Sequence, residues 1–207
     1  MGKLISIVGN LGAGKTTLTR LLCDKGSFIP YFERPEVRPF QADFTKEMRK
    51  WALANQMDFL LFRCEQEFMI RQNDEIAVMD GGLDQDFHLF TKNLINKDYL
   101  TQSEYDICAR FYTFIRELLP PPDIIIRIIV DIPTLLQRRL SRDRKTVDQS
   151  FDIHDFTGLE SLLDDWLMGE RLSPVIRFAF NQDFHKLTKE IDKLLIQVES
   201  AFSAATP

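Results

Sequence analysis

Three groups of residues in this chain have the types and spacing to do chemistry on phosphate. The first is the run GNLGAGKTT, in which Gly9, four further residues and then Gly14-Lys15-Thr16 reproduce the P-loop pattern between an apolar run and a helical one. Glycines in such a loop let backbone N–H groups converge on phosphate oxygens at a helix N-terminus, where unpaired amides and the helix dipole favour an anion. Lys15 adds a point charge, and Thr16 a hydroxyl able to ligate magnesium. Gly9, Asn10, Leu11, Gly12, Ala13, Gly14, Lys15, Thr16 and Thr17 are therefore expected to cradle a nucleotide phosphate chain.

The second is Asp80, the carboxylate that closes the apolar run IAVM and is followed by Gly81 and Gly82. Magnesium keeps several waters and takes few protein carboxylates, so one acid at a strand end beside the loop suffices; Thr16 and Asp80 are the expected metal pair. The third is QRRLSRDRK, with Arg138, Arg142 and Arg144 at i, i+4 and i+6. Alone, such a run is a solvated basic helix face. Beside a P-loop, the same arginines can fold over a triphosphate and neutralise charge during transfer.

These groups need elements to position them. Five short β-branched runs, Leu4–Val8, Phe28–Phe32, Ile76–Met79, Ile124–Val130 and Val175–Phe180, alternate with helical patterns. That order predicts an α/β fold with a parallel sheet and helices on both faces. The longest helix is expected from about Asp43 to Arg71, and another from Ser103 to Leu119, stopped by Pro120, Pro121 and Pro122. A length of 207 residues, 44% of them hydrophobic, fits one compact domain, residues 1–207, with the basic run as a lid at about 138–150.

A net charge of -5 argues against a nucleic-acid partner, which needs a concentrated basic face, and favours a small-molecule one. Cys23, Cys64 and Cys108 are far apart and form no CxxC pair, so they are read as reduced packing residues. No signal-peptide pattern and no apolar stretch of membrane-spanning length is found, so no membrane partner and a cytoplasmic location, or an organelle interior, are expected.

Five segments in order, GNLGAGKTT, YFERPEVRPFQADF, WALANQMDFLLFR, MDGGLDQDFHLF and RRLSRDR, make the chain resemble the deoxynucleoside kinase family over nearly its full length, particularly the bacterial deoxyguanosine and deoxyadenosine kinase branch. The resemblance implies a three-layer P-loop kinase fold with a five-stranded parallel sheet, ATP and Mg2+, and transfer of the γ-phosphate to a nucleoside 5′-hydroxyl. It also implies a homodimer packed through helices. By the same resemblance Glu33 is the general base, with Glu36 as the competing assignment, while Lys15, Arg138, Arg142 and Arg144 act on the phosphates. Gln56 and Asp86 read the base, Arg63 holds Asp86 in place, and Phe90 packs against the base. A carboxylate only accepts hydrogen bonds unless protonated, so Asp86 should pair with an exocyclic amine, favouring adenine, cytosine or guanine over thymine.

The resemblance fails on the sugar side. Gly81 stands where the family carries an arginine beside the catalytic glutamate, and nothing in the sequence promotes Arg71 or Arg127 into its place. Thr45 replaces a tyrosine that reaches the sugar 3′-hydroxyl. The acid expected after Arg144 is missing, with Lys145, Thr146 and Val147 in sequence and Asp148 the nearest carboxylate. Losing a preorganised arginine at a phosphoryl-transfer centre costs about two or more decades in rate. Two other readings therefore stay open: a P-loop kinase for a nucleotide or a non-nucleoside alcohol, and an ATP-binding partner subunit that transfers nothing. A basic group near Thr45 and Gly81 would favour a phosphorylated acceptor.

Overall fold

Side chains of β1 (Lys3–Val8) alternate between two apolar layers: Ile5 and Ile7 enter one core, and Leu4 and Val8 pack on the opposite side. A strand apolar on both faces must be covered on both, which is the condition of a parallel sheet in an α/β protein. The computed structural model, which describes residues 1–34, 37–141, 153–169, 173–179 and 188–204, has that sheet. Its five parallel strands run in the order β2-β3-β1-β4-β5, with β2 at Ile29–Tyr31, β3 at Ile76–Asp80, β4 at Ile124–Ile129 and β5 at Val175–Ala179. Ile7 of β1 pairs with Asp80 of β3, so the glycine loop after β1 and the acid ending β3 emerge at the same edge of the sheet. Ligands of open parallel sheets bind beyond the carboxyl ends of such strands.

One face is covered by α1 (Lys15–Lys25) and α9 (Thr188–Ala204), whose Leu18, Leu22, Leu194 and Val198 join Ile5, Ile7, Val78 and Ile126. The other is covered by α3 (Met48–Gln72), through Ile70 on Leu4, Ala77 and Met79, and by α8 (Ile153–Met168), through Leu159, Leu163 and Leu167 on Val8 and Ile125. The expected three layers are present. No helix among the described residues is long and apolar enough to cross a membrane.

The helix expected from Asp43 to Arg71 is two helices. A short α2 (Gln41–Phe44) ends where the Thr45 hydroxyl donates to Ala42 O at 2.9 Å, and α3 begins after Glu47, whose φ of -136° is not helical. Side-chain bonds of Thr to nearby carbonyls compete with helix continuation, an effect that apolar periodicity does not register. The second long helix, α6 (Gln102–Leu118), starts at a capping box: Glu104 N donates to Thr101 Oγ1 at 3.3 Å and Thr101 N to Glu104 Oε2 at 2.7 Å. It stops before Pro120, as its sequence predicts.

After β3 the chain runs through α4 (Leu83–Gln85), a π-helical turn at Asp86–Thr91 and α5 (Lys92–Asn96). In the widened turn the carbonyl of Asp86 accepts from Thr91 Oγ1 and from Gln56 Nε2, both at 3.0 Å. Single π-helical turns are frequent at functional sites. The remaining described helix, α7 (Ile132–Ser141), carries Arg138 and packs Leu135 into the core around Ile5.

Candidate active site

The loop after β1 is held in shape from several directions. Gly14, at φ 101°, caps α1 without a side chain, leaving the first amides of the helix pointing at the loop. Gly9 N donates to the buried Gln85 Oε1 at 2.8 Å, and Leu11 N to Asn10 Oδ1 at 2.8 Å. Asn10 Nδ2 donates to Phe156 O at 2.9 Å and Glu160 Oε2 at 3.1 Å, which ties the loop to α8. Glu160 in turn accepts from Arg127 at 2.6 Å. The ammonium of Lys15 lies within the loop, donating to Gly9 O at 3.1 Å and Asn10 O at 3.2 Å. Arg138 Nη1 donates to Ala13 O at 3.0 Å, joining α7 to the same loop. Arg142 and Arg144, the segment from Lys145 to Asp148, and Glu36 lie outside the described residues.

Thr16 Oγ1 donates to Asp80 Oδ2 at 2.5 Å, so the two expected metal ligands touch. Asp80 is buried, and its Oδ1 has no hydrogen-bond partner among the described residues. A buried carboxylate oxygen without a donor is costly in an apolar setting, and a cation or its bound water removes that cost. One carboxylate with one hydroxyl is a hard oxygen donor set of the kind magnesium takes while keeping most of its waters.

On the acceptor side Arg63 is the hub. Its side chain is fully buried; Nε donates to Asp86 Oδ2 at 3.0 Å, Nη1 to Gln66 Oε1 at 3.1 Å, and Nη2 stands 3.9 Å from Glu33 Oε2. Gln66 Nε2 donates to Phe32 O at 3.0 Å, fixing the backbone that leads into Glu33. Arg34 follows with φ 51°, a left-handed turn rare for a non-glycine residue, so the chain bends sharply just after Glu33. Burial raises the Glu33 carboxyl above its ordinary value; Arg63 and Lys15 oppose the rise, and Asp86 and Asp80 add to it. Asp86 is also raised by burial against the pull of Arg63. Burial works against the charged form of Arg63, but Asp86 and Glu33 outweigh it and hold the guanidinium more firmly protonated.

The structure thus brings Lys15, Thr16 and Asp80 together at one end of the sheet and links Glu33, Arg63, Asp86 and Gln56 in one cluster. Phe90 is half-buried, leaning with Leu11 on the group around Leu89 and Ile125. Thr45 is exposed and turned back onto α2. Arg71 is committed at the amino ends of β1 and β4, donating to Gly2 O at 2.8 Å, Asp123 Oδ2 at 2.6 Å and Pro121 O at 2.7 Å. Arg127 binds Glu160 and Asp164 on α8. Neither substitutes for an arginine at position 81.

Several supporting residues were not expected from the sequence. Gln66 steadies both Arg63 and the strand end, Gln85 holds Gly9, and Ser6 Oγ donates to Gly81 O at 2.6 Å. A signal existed on α3: Asn55, Gln56, Arg63, Gln66 and Glu67 recur at helical spacing on its buried face, where a packing helix would carry apolar residues. Buried polar residues need partners, so such a stripe marks a network.

A parallel sheet with a glycine loop after its central strand, a lysine and threonine at the next helix start, and an acid ending the neighbouring strand define a P-loop nucleotide-binding protein. The family model for deoxynucleoside kinases matches residues 5–203, and the chain belongs to that family. It is accordingly an ATP-dependent phosphotransferase. The deoxyadenosine/deoxycytidine kinase of Bacillus subtilis (strain 168) is 24% identical over 205 residues, covering 95% of this chain and 92% of that protein. The deoxyguanosine kinase of the same organism is 28% identical over 165 residues, 78% of this chain and 75% of that protein. In fold, the chain matches a deoxyadenosine kinase from M. mycoides solved with dCMP and a flexible dCDP bound, with a TM-score of 0.79, 22% identity, and 95% and 99% of the two chains covered.

Proposed function

We propose that the protein transfers the γ-phosphate of ATP to the 5′-hydroxyl of a deoxynucleoside whose base carries an exocyclic amine. The observation that carries this reading is the Arg63–Asp86 pair. Arg63 Nε occupies Asp86 Oδ2 at 3.0 Å, while Oδ1 makes no hydrogen bond among the described residues and is free to accept from an amine. Gln56, anchored by its amide nitrogen to Asp86 O, keeps its own carbonyl oxygen for the same base. The relatives described above act, by name, on deoxyadenosine, deoxycytidine and deoxyguanosine, all with amino-bearing bases.

The loop amides and Lys15 bind the phosphate chain, and Glu33 takes the hydroxyl proton as the acceptor oxygen attacks. Arg138, Arg142 and Arg144 are assigned to the phosphates on sequence grounds, and Arg138 also donates to the loop at Ala13 O. Thr16 and Asp80 would hold Mg2+, which when bound offsets phosphate charge. Among the described residues the basic group beside Gly81 is Arg63, which is paired with Asp86 and faces Glu33. The test is ATP turnover across deoxynucleosides, ribonucleosides and nucleotides. Deoxyadenosine, deoxyguanosine or deoxycytidine should be consumed well ahead of thymidine and of nucleotides, with EDTA abolishing and Mg2+ restoring turnover. Preference for thymidine or for a nucleotide would contradict the proposal.

The reading includes a homodimer. Leu61 and Phe68 on α3 and Ile107 and Phe114 on α6 project apolar side chains into solvent, with Phe68 52% and Phe114 56% exposed, from two helices that pack on one another. A paired apolar surface of this kind suits a second copy of the chain. Sedimentation velocity should give a dimer for the wild type and a monomer for Phe68→Asp/Phe114→Asp. A wild-type monomer at micromolar concentration would refute the dimer.

A further inference from the structure

Gly81 has φ 82°, and a Cβ built on it would stand 2.9 Å from Nη2 and 3.6 Å from Cζ of Arg63. The room that a side chain would need at the end of β3 is filled by a guanidinium arriving from α3. Two edges of that guanidinium are clamped: Nε by Asp86 at 3.0 Å and Nη1 by Gln66 at 3.1 Å. The third edge, Nη2, faces Glu33 at 3.9 Å, beyond hydrogen-bond distance. A planar fork held at two edges fixes the direction of the third, which a lysine ammonium cannot do.

We propose that Arg63 is a catalytic residue of the phosphotransfer, its Nη2 donating to the acceptor oxygen or the transferring phosphoryl group beside Glu33 in the space that a side chain at position 81 would take. The proposal rests on the phosphotransferase reading above. In the step, the acceptor O–H bond breaks with its proton passing to Glu33, the new O–P bond forms, and the bridging P–O bond of ATP breaks with its electron pair leaving on ADP. Arg63 is unchanged, stabilising charge on oxygen with an N–H already aimed at it. The arginine missing from position 81 is thus replaced from another element, and one guanidinium serves base recognition at one edge and chemistry at another.

The competing role is confined to Asp86: an Arg63 that only orients the base reader would affect nucleoside KM and leave kcat alone. Steady-state kinetics with ATP, Mg2+ and each of deoxyadenosine, deoxyguanosine and deoxycytidine should be measured for wild type, Arg63→Lys, Arg63→Ala and Gly81→Ala, with folding followed by thermal melting. Arg63→Lys should lose about 10²-fold in kcat, more than it changes KM. Added methylguanidinium should restore part of the kcat of Arg63→Ala. Gly81→Ala removes no ion-pair partner but also strains a backbone at φ 82° beside Asp80. It should lower kcat about tenfold or more, and displacement of Nη2 as the cause requires that this loss be much smaller when the substitution is made in the Arg63→Ala background.

Unchanged kcat with raised KM in Arg63→Lys, or wild-type kcat in Gly81→Ala, would overturn the proposal while the phosphotransferase reading stands. If Arg63→Ala fails to fold, Arg63→Lys and Gly81→Ala decide the matter. A wild type that turns over no acceptor removes the phosphotransferase reading, and the role of Arg63 with it.

Discussion

Glu33→Gln is expected to lower kcat by about 10²- to 10⁴-fold, the range in which positioned general bases act, with ATP binding retained. The substitution keeps shape and much of the polarity and removes only the capacity to take a proton. Glu33 is placed for that task by Gln66, which fixes Phe32 O at 3.0 Å, and 35% of its side-chain surface remains exposed. Because burial raises its carboxyl, the acid limb of wild-type kcat/KM should sit above the ordinary glutamate value. The sign is that of a base: below the raised value Glu33 is protonated and rate is lost, and above it rate is full. In Glu33→Gln that limb should disappear. Retention of kcat within a few-fold, or an unchanged acid limb, would assign the proton to another group.

Arg116→Met is expected to destabilise the fold by about 3–5 kcal/mol, because it leaves buried carboxylates without their cation. Arg116 grips Glu67 with two nitrogens, at 2.7 and 3.0 Å, and Asp84 with Nε at 2.7 Å; Glu67 is completely buried. Tyr112 donates its one proton to Asp84 Oδ1 at 2.8 Å, so His88 Nε2, 3.0 Å from the phenol oxygen, must be the donor in that contact. Burial lowers His88 to about 4, keeping it neutral at ordinary pH. With Arg116 gone, Glu67 and Asp84 face each other in a dry setting and one must be protonated or rehydrated. For a chain of this size the loss corresponds to a fall in Tm on the order of 10 °C. Glu67→Gln in the same background should recover part of it, since it removes one orphaned charge. The damage should reach ATP binding too, because α4 supplies Gln85, whose Oε1 holds Gly9 N. A change within about 0.5 kcal/mol in urea unfolding would mean the network is solvated and weak.

The parts of this fold written in local sequence were legible. Gly9 to Thr16 is a contiguous pattern with its own physics, β1 and β3 announce themselves by β-branched runs, and Asp80 follows from where β3 ends. The break at Thr45 was not legible, since it turns on one hydroxyl bonding back to Ala42 rather than on periodicity. The supports of the site were hidden for a different reason. Gln85 meets Gly9 across 76 positions and Ser6 meets Gly81 across 75, and only the strand register brings such pairs together. Gly81 is the clearest case. In sequence it is an absence, a missing arginine; in the fold, the space beside it belongs to a guanidinium from 18 residues earlier in the chain, Arg63.

The central claim, that phosphate passes from ATP to the 5′-hydroxyl of an amino-bearing deoxynucleoside, is tested most directly by 31P NMR of the wild-type reaction with Mg2+-ATP and deoxyadenosine, deoxyguanosine or deoxycytidine. A deoxynucleoside 5′-monophosphate resonance growing in step with ADP is the predicted result. ADP appearing with inorganic phosphate alone, or no change in the ATP signals with any of the three, would contradict it.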